Sequence, residues 1–405
     1  MSGNGKAKAN QPVILSAART PIGRFQGALA NVPAAELGAT AIRAAVERAG
    51  IEGHLGEIDE VLMGNVVSAG LGQNIARQCA LKAGIPSTVG AITVNKVCGS
   101  GLKAVMLSAQ AIRAGDGDLF VAGGVESMSR APYLVHGRLG ELRYGNAEMK
   151  DSLVSDGLWC AIENWGMGNA AEFIADEYGV SREAMDQYAL ASHQKAVAAM
   201  DEGRFKDEIA PVTVPGRRGQ ETVVEQDEAP RRDTSLEALS KLRPAFVAEG
   251  RVTAGNAPGL NDAAAALVIA SAAKAEEVGS KPLARIVGYD QAAVEPRYIF
   301  AAPAKAIPRL LKRVGWSLSD VDLLEVNEAF AAQVLANGQE LSDQGWDWSK
   351  VNVNGGAIAL GHPLGATGAR ILTTLVHALA QRDLHRGIAA LCLGGGEAVA
   401  VAVER

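Results

Sequence analysis

Aromatic side chains are scarce, at 4% of 405 residues, whereas glycine occurs 46 times. That balance points to many tight turns and close backbone approaches. Cysteine is sparse too: Cys79, Cys98, Cys160 and Cys392 are scattered, with no C-x-x-C pair. The spacing argues against a disulfide framework or a structural zinc site and points to a reducing, cytoplasmic setting. Basic charge is not in excess, and a formal net charge of −6 argues against a general nucleic-acid binder. No apolar run approaches ~20 residues, so no membrane-spanning helix is expected. Residues 1–11 have no apolar core and read as a short flexible tail, not a secretory signal.

What remains is ordinary for a globular chain, 48% hydrophobic and 21% charged, with length enough for two or three domains. Its strongest organising signal is an internal repeat. A helix closed by Gly50 leads through a polar connection to Ile58-Asp-Glu-Val-Leu-Met-Gly-Asn65. A helix closed by Gly315 leads likewise to Asp320-Val-Asp-Leu-Leu-Glu-Val-Asn327. Further on, the short strand Ala91–Asn95 precedes Cys98-Gly-Ser-Gly and a helix with Leu102, Val105, Met106, Ala109 and Ile112 at helical spacing, stopped by Gly115. Its counterpart is Val351-Asn-Val-Asn354, then a glycine-rich turn holding His362, then another helix. Both halves continue into an apolar strand meeting a glycine cluster, Gly123-Gly124 and Gly394-Gly395-Gly396.

In the second half the next strand follows at once, at Val399, Val401 and Val403; in the first it is delayed to Ala264–Ala270. The intervening residues read as an insertion, helical around Ala170–Glu202 and loop-like around Pro215–Thr234. The domain limits expected are 12–275 for the first half, with the insertion at about 125–252, and 281–405 for the second. Alternating strands and helices imply mostly parallel, buried sheets, whose ligands lie beyond the strand C-termini.

Three residues at those strand ends suit chemistry. Cys98 stands where a helix begins, a place that favours a thiolate, and its glycines would let a carbonyl oxygen reach its N–H. The competing reading is a buried, inert core thiol. His362, between Gly361 and Pro363, is held in a rigid turn where imidazole could take a thiol proton; the other five histidines read as exposed or structural. Cys392 reads as core packing by periodicity, but the glycines after it place it opposite Gly123 and Gly124. Asn327 and Glu328 end another strand, either as a solvated loop or as an oriented amide or water anchor.

With these residues in place the sequence resembles the thiolase family over nearly its whole length. The stretches that carry the resemblance are Arg19-Thr-Pro-Ile-Gly23, Val97-Cys-Gly-Ser-Gly101, Glu126-Ser-Met-Ser, Lys241-Leu-Arg-Pro-Ala-Phe246, Gly255-Asn-Ala, Asn327-Glu-Ala-Phe330, Asn354 to Gly368 and Cys392-Leu-Gly-Gly-Gly396. The resemblance implies an α/β, five-layered αβαβα fold of two similar βαβαβαββ halves with a loop domain inserted in the first. It implies a reversible Claisen condensation of acyl-CoA thioesters, with CoA and acyl-CoA as substrates and no metal or redox cofactor. In this role Cys98 carries the acyl group, His362 accepts its proton, and Cys392 moves the α-proton. Asn327 holds a water beside His362, and the N–H of Gly394 joins that of Cys98 in an oxyanion site. Arg231, Phe246, Met167, Ala254, Pro258 and Phe330 are the implied CoA and substrate contacts.

The residues from His136 to Trp159 resemble the loop by which short-chain biosynthetic members form homotetramers, favouring an acetoacetyl-CoA enzyme of fatty acid metabolism over a longer-chain β-oxidation thiolase. Less favoured are a decarboxylating ketoacyl synthase, which would use two histidines, and a non-catalytic acyl-binding protein. The chain departs from the family pattern at Gly166, where an imidazole is usual, at Pro258 in place of a Ser, and at Glu397 in place of a small residue. These departures touch the pocket rather than the three chemical groups. Trp159 and Trp165 are either pocket walls or loop packing.

Overall fold

The computed structural model describes residues 9–138, 142–216 and 220–405. The expected tail therefore lies largely outside the described residues, as do residues 139–141 of the His136–Trp159 loop and 217–219 of the Pro215–Thr234 stretch.

Nine strands carry the fold: β1 Pro12–Arg19, β2 Glu60–Gly64, β3 Gly90–Val94, β4 Leu119–Ser127, β5 Asn261–Ser271, β6 Ala284–Ala293, β7 Leu323–Val326, β8 Arg386–Leu393 and β9 Glu397–Glu404. The first half pairs in the order β3-β2-β4-β5-β1 and the second in the order β7-β8-β9-β6. A short antiparallel contact, Val13 with Arg285 and Ile14 with Ala284, joins the two. The repeat read from the sequence is thus a repeat of topology, with β2, β4, β5 and β1 answering to β7, β8, β9 and β6.

The sheets are mixed rather than mostly parallel. Only β2–β3, β2–β4 and β7–β8 run parallel; β4–β5, β5–β1, β8–β9 and β9–β6 are antiparallel. The sequence concealed this because every residue of β4 and β5 is buried, so an antiparallel pair covered on both faces has the continuous apolar text of a parallel one. Val351–Asn354 is not a strand either. Val351 makes a single bridge to Leu324, and the Asn352 side chain completes the edge, accepting from Val326 N and donating to Val326 O.

Helices complete five layers. α1 (Ala34–Ala49) and α2 (Ile75–Lys82) pack on the outer face of the first sheet through Leu37, Ile42, Val46 and Ile75. α3 (Ser100–Ala114) and its counterpart in the second half, the helix Leu364–Gln381, fill the space between the sheets, where Leu102, Val105, Met106 and Ile112 meet Ile371, Leu372 and Leu375. α3 ends as expected on left-handed Gly115, at φ 83°. The helix Ala302–Val314 covers the outer face of the second sheet through Ile307 and Leu310.

The segment between β4 and β5 forms the insertion. Its expected single helical stretch is two helices, Met167–Glu177 and Arg182–Asp201, broken at Gly179 (φ 60°) and restarted by Ser181, whose side chain accepts from Ala184 N. The expected loop at 215–234 includes one arm of a hairpin, Val212–Pro215 with Glu221–Val224. No described helix is long and apolar enough to cross a membrane.

Candidate active site

Cys98 lies in the turn between β3 and α3, partly exposed and one residue before the Gly99 N-cap. The turn is strained: Val97, a β-branched residue, sits at φ 47°. Ser100 fixes it, its hydroxyl donating to Val97 O at 2.6 Å and accepting from Lys96 N at 2.9 Å. The N–H groups of its own residue and of Gly394 act to favour the thiolate. Burial nevertheless outweighs those donors and pushes the thiol up to about 12, so the thiolate expected at a helix start is not the resting form.

His362 sits in the turn entering the helix Leu364–Gln381. Its N–H donates to Asn261 Oδ1 at 2.9 Å. Gly361 precedes it at φ 114°, where any Cβ would run into the Asn261 amide. The imidazole Nδ1 is 2.7 Å from Thr367 Oγ1, and that hydroxyl donates to Pro363 O at 2.9 Å. Since Thr367 has one proton to give, it must accept at Nδ1. The hydrogen-bond pattern therefore assigns the proton to Nδ1 and leaves Nε2 as the basic lone pair. Burial, then the nearby charge of Arg370, depress the imidazole to about 3.

Cys392 is the penultimate residue of β8, 2% exposed, and its thiol is raised well above the ordinary range, first by burial and then by Cys98. Asn327 follows β7 with its main chain tied to Ala390 O, while neither polar atom of its buried amide has a protein partner. An amide so placed can hold a water.

One apolar cavity of about 560 Å³ brings Cys98, His362 and Cys392 together. Met167, Phe246, Ala254, Pro258 and Phe330 line it as well, five of the six expected substrate contacts. Arg231 does not; it is exposed, and its main-chain N donates to His193 Nδ1 at 3.1 Å. Its neighbour Arg232 pairs with Asp201 on the surface. The two tryptophans divide: Trp159 lines the cavity beside Gly166, whereas Trp165 packs on Phe173 with ring centroids 5.6 Å apart.

The glycines after Cys98 serve another purpose than expected. A Cβ on Gly99 would strike Leu393 and Val399, and one on Gly101 would strike Gly365 O and Ala369. Neither lines the cavity; both let the two halves approach.

Sequence reading left open what holds the loops of these residues. Glu126 accepts from Asn65 Nδ2, Val66 N and Val67 N of the first half and from Gly365 N, three residues after His362. Burial raises it to about 7 against the pull of those N–H groups. Glu328 similarly gathers Tyr188, Ser192, Asn352 and Ile358 N around the Asn327 loop. Both glutamates stood in the quoted motifs, but nothing in a one-dimensional pattern said what they bind.

Two thiols beside strand ends and an imidazole at a helix entrance, drawn from two repeated halves into one cavity, fit a thioester-handling enzyme of the α/β class. Residues 12–273 match the family model of the thiolase N-terminal domain and residues 280–405 that of the thiolase C-terminal domain, so the chain belongs to the thiolase family. Among its relatives, an acetyl-CoA acetyltransferase of Pseudomonas aeruginosa is 54% identical over 393 residues, 97% of this chain and 99% of that one. An acetyl-CoA acetyltransferase of Cupriavidus necator is 53% identical with the same coverage. The crystal structure of the Bacillus anthracis acetyl-CoA acetyltransferase aligns with a TM-score of 0.94 at 46% identity, over 98% of this chain and 99% of that one.

Proposed function

We propose that the chain catalyses the reversible condensation of two acetyl-CoA molecules to acetoacetyl-CoA and CoA. The observation that carries this is the meeting of Cys98, His362 and Cys392 in one apolar cavity, and the names of the relatives at 50% identity and above agree with it.

The resting groups are neutral, so charge must arise in pairs inside the cavity. Cys98 gives its proton to His362 Nε2 as its sulfur attacks the first thioester carbonyl. The departing CoA thiolate takes the proton of Cys392, leaving acetyl-Cys98, an imidazolium and the Cys392 thiolate. That thiolate, a strong base because burial disfavours it, removes the α-proton of the second acetyl-CoA. The carbanion attacks the Cys98 thioester; the carbon–carbon bond forms as the carbon–sulfur bond breaks. Cys98 then recovers its proton from His362, and every group returns to its starting state. Gly394 and Cys98 N–H groups serve one oxyanion, and His362 with a water on Asn327 serves the other.

Thiols, imidazole and N–H groups supply this chemistry without a metal or redox cofactor. Arg231, exposed at the insertion surface, is assigned to the CoA nucleotide. The exposed Tyr133, Tyr144 and Met149 support assembly into a homotetramer through their loop, and four free cysteines fit a cytoplasmic setting in fatty acid metabolism.

Thiolysis of 3-ketoacyl-CoAs of increasing chain length tests the reading. Acetoacetyl-CoA is expected to be cleaved fastest. A maximum at long chains would instead support the β-oxidation alternative, and no turnover on any substrate would reject the enzyme.

A further inference from the structure

The loop of Cys98 and the loop of Gly394 belong to different halves, yet the oxyanion site requires them in register. One side-chain pair crosses between them. Lys96 Nζ lies 2.6 Å from Glu397 Oε2, joining residues 301 apart in sequence. Lys96 is two residues before Cys98 and bridges it. Glu397 opens β9 directly after the glycine turn, paired with Leu393 on one side and Ala293 on the other. Glu397 also stands where the family resemblance led to the expectation of a small residue.

The surroundings make this pair more than a surface contact. Between its two ends lie Gly394 and the strained Val97, packed closely enough that a Cβ on Gly394 would come within 3.1 Å of the Val97 side chain. A β-branched residue at positive φ is strained and persists only where its surroundings hold it. Ser100 holds the turn from within the first half, and among the described side-chain hydrogen bonds and ion pairs only Lys96–Glu397 ties it to the Gly394 turn. Lys96 is 19% and Glu397 35% exposed, so the pair is partly shielded, with Lys103 one turn into α3 adding positive charge toward Glu397.

We propose that Lys96 and Glu397 are positioning residues for the proposed condensation, an ion-pair clamp that keeps the Gly394 N–H aimed at the oxyanion formed on Cys98. The inference rests on the functional reading above, with Cys98 as the acyl carrier. Neither side chain lines the cavity, so the clamp acts through the loops and not on the acyl group.

The test is acetoacetyl-CoA thiolysis by the full chain and by Lys96→Met, Glu397→Gln and the exchanged double variant Lys96→Glu/Glu397→Lys, with thermal melting alongside. Outright removal of an oxyanion donor costs about 100–1,000-fold in kcat, so misalignment is expected to cost about tenfold. Each single variant should lose that factor in kcat with KM within about twofold and Tm nearly unchanged. The exchange should recover most of the loss, because the clamp needs opposite charges and not a particular order. Singles with normal kcat, an exchange no better than the singles, or kcat losses that follow falling Tm would overturn the clamp alone. A wild-type chain without turnover would overturn the functional reading and the clamp with it.

Discussion

At the scale of single residues, burial sets the protonation of the site. His362 in the folded chain takes up its proton only near pH 3, against an ordinary value of 6.5. Its folded pKa is depressed, so between those values the unfolded chain binds more protons and stability falls as pH drops below 6.5. At pH 5 this residue's share is about 2 kcal/mol. Denaturant unfolding of the wild type and of His362→Asn at pH 7 and pH 5 should therefore differ: the wild type loses about 2 kcal/mol more than the variant. Parallel losses would mean that His362 is not shielded as described. The same burial explains why a thiol beside a helix start is not a resting thiolate. The N–H groups of Cys98 itself and of Gly394 favour the thiolate, but desolvation is the larger effect.

At the scale of elements, the packing of the two central helices dictates the glycines. A Cβ on Gly368 would come within 2.4 Å of Leu102 N, and one on Gly101 within 2.9 Å of Gly365 O. Backbone cannot give way as a side chain can, so Gly101→Ala and Gly368→Ala should each cost about 1–3 kcal/mol and lower Tm, with denaturant midpoints as the check. An unchanged midpoint would show that the crossing is looser than this. Much of the element pattern was legible beforehand. The repeat, the apolar face of α3, its Gly115 stop and the delayed β5 were all written in periodicity and turn residues. Strand direction was not, because burial on both faces erases alternation. The Val351 bridge was not, because a side chain, Asn352, takes the place of backbone pairing. Of the site, Cys98, His362 and Cys392 were marked by the glycines beside them and by the family resemblance. Asn261 and Glu126 were not marked, and Glu328 was left open, since their roles are contacts to residues distant in the chain.

At the scale of the whole molecule, the two halves make one site only if they stay in register, and Glu126 shows how. Its carboxylate accepts four N–H groups, three from the first half and one, Gly365 N, from the second. Glu126→Gln would turn amide protons toward donors and leave at least one buried donor unpaired, a loss of about 1–3 kcal/mol. Both Tm and kcat should fall, because Gly365 lies in the first turn of the helix that follows the His362 turn. A Gln variant with native stability and rate would show that the bridge is dispensable.

The central claim is the division of labour between two thiols in one cavity. Mass spectrometry of Cys392→Ala after mixing with acetyl-CoA tests it most directly. The account predicts one added acetyl group, located on Cys98 and formed more slowly than in the wild type because the departing CoA thiolate must take its proton from water, and no acetoacetyl-CoA formed. An unmodified Cys98 in that variant, or condensation continuing without Cys392, would contradict it.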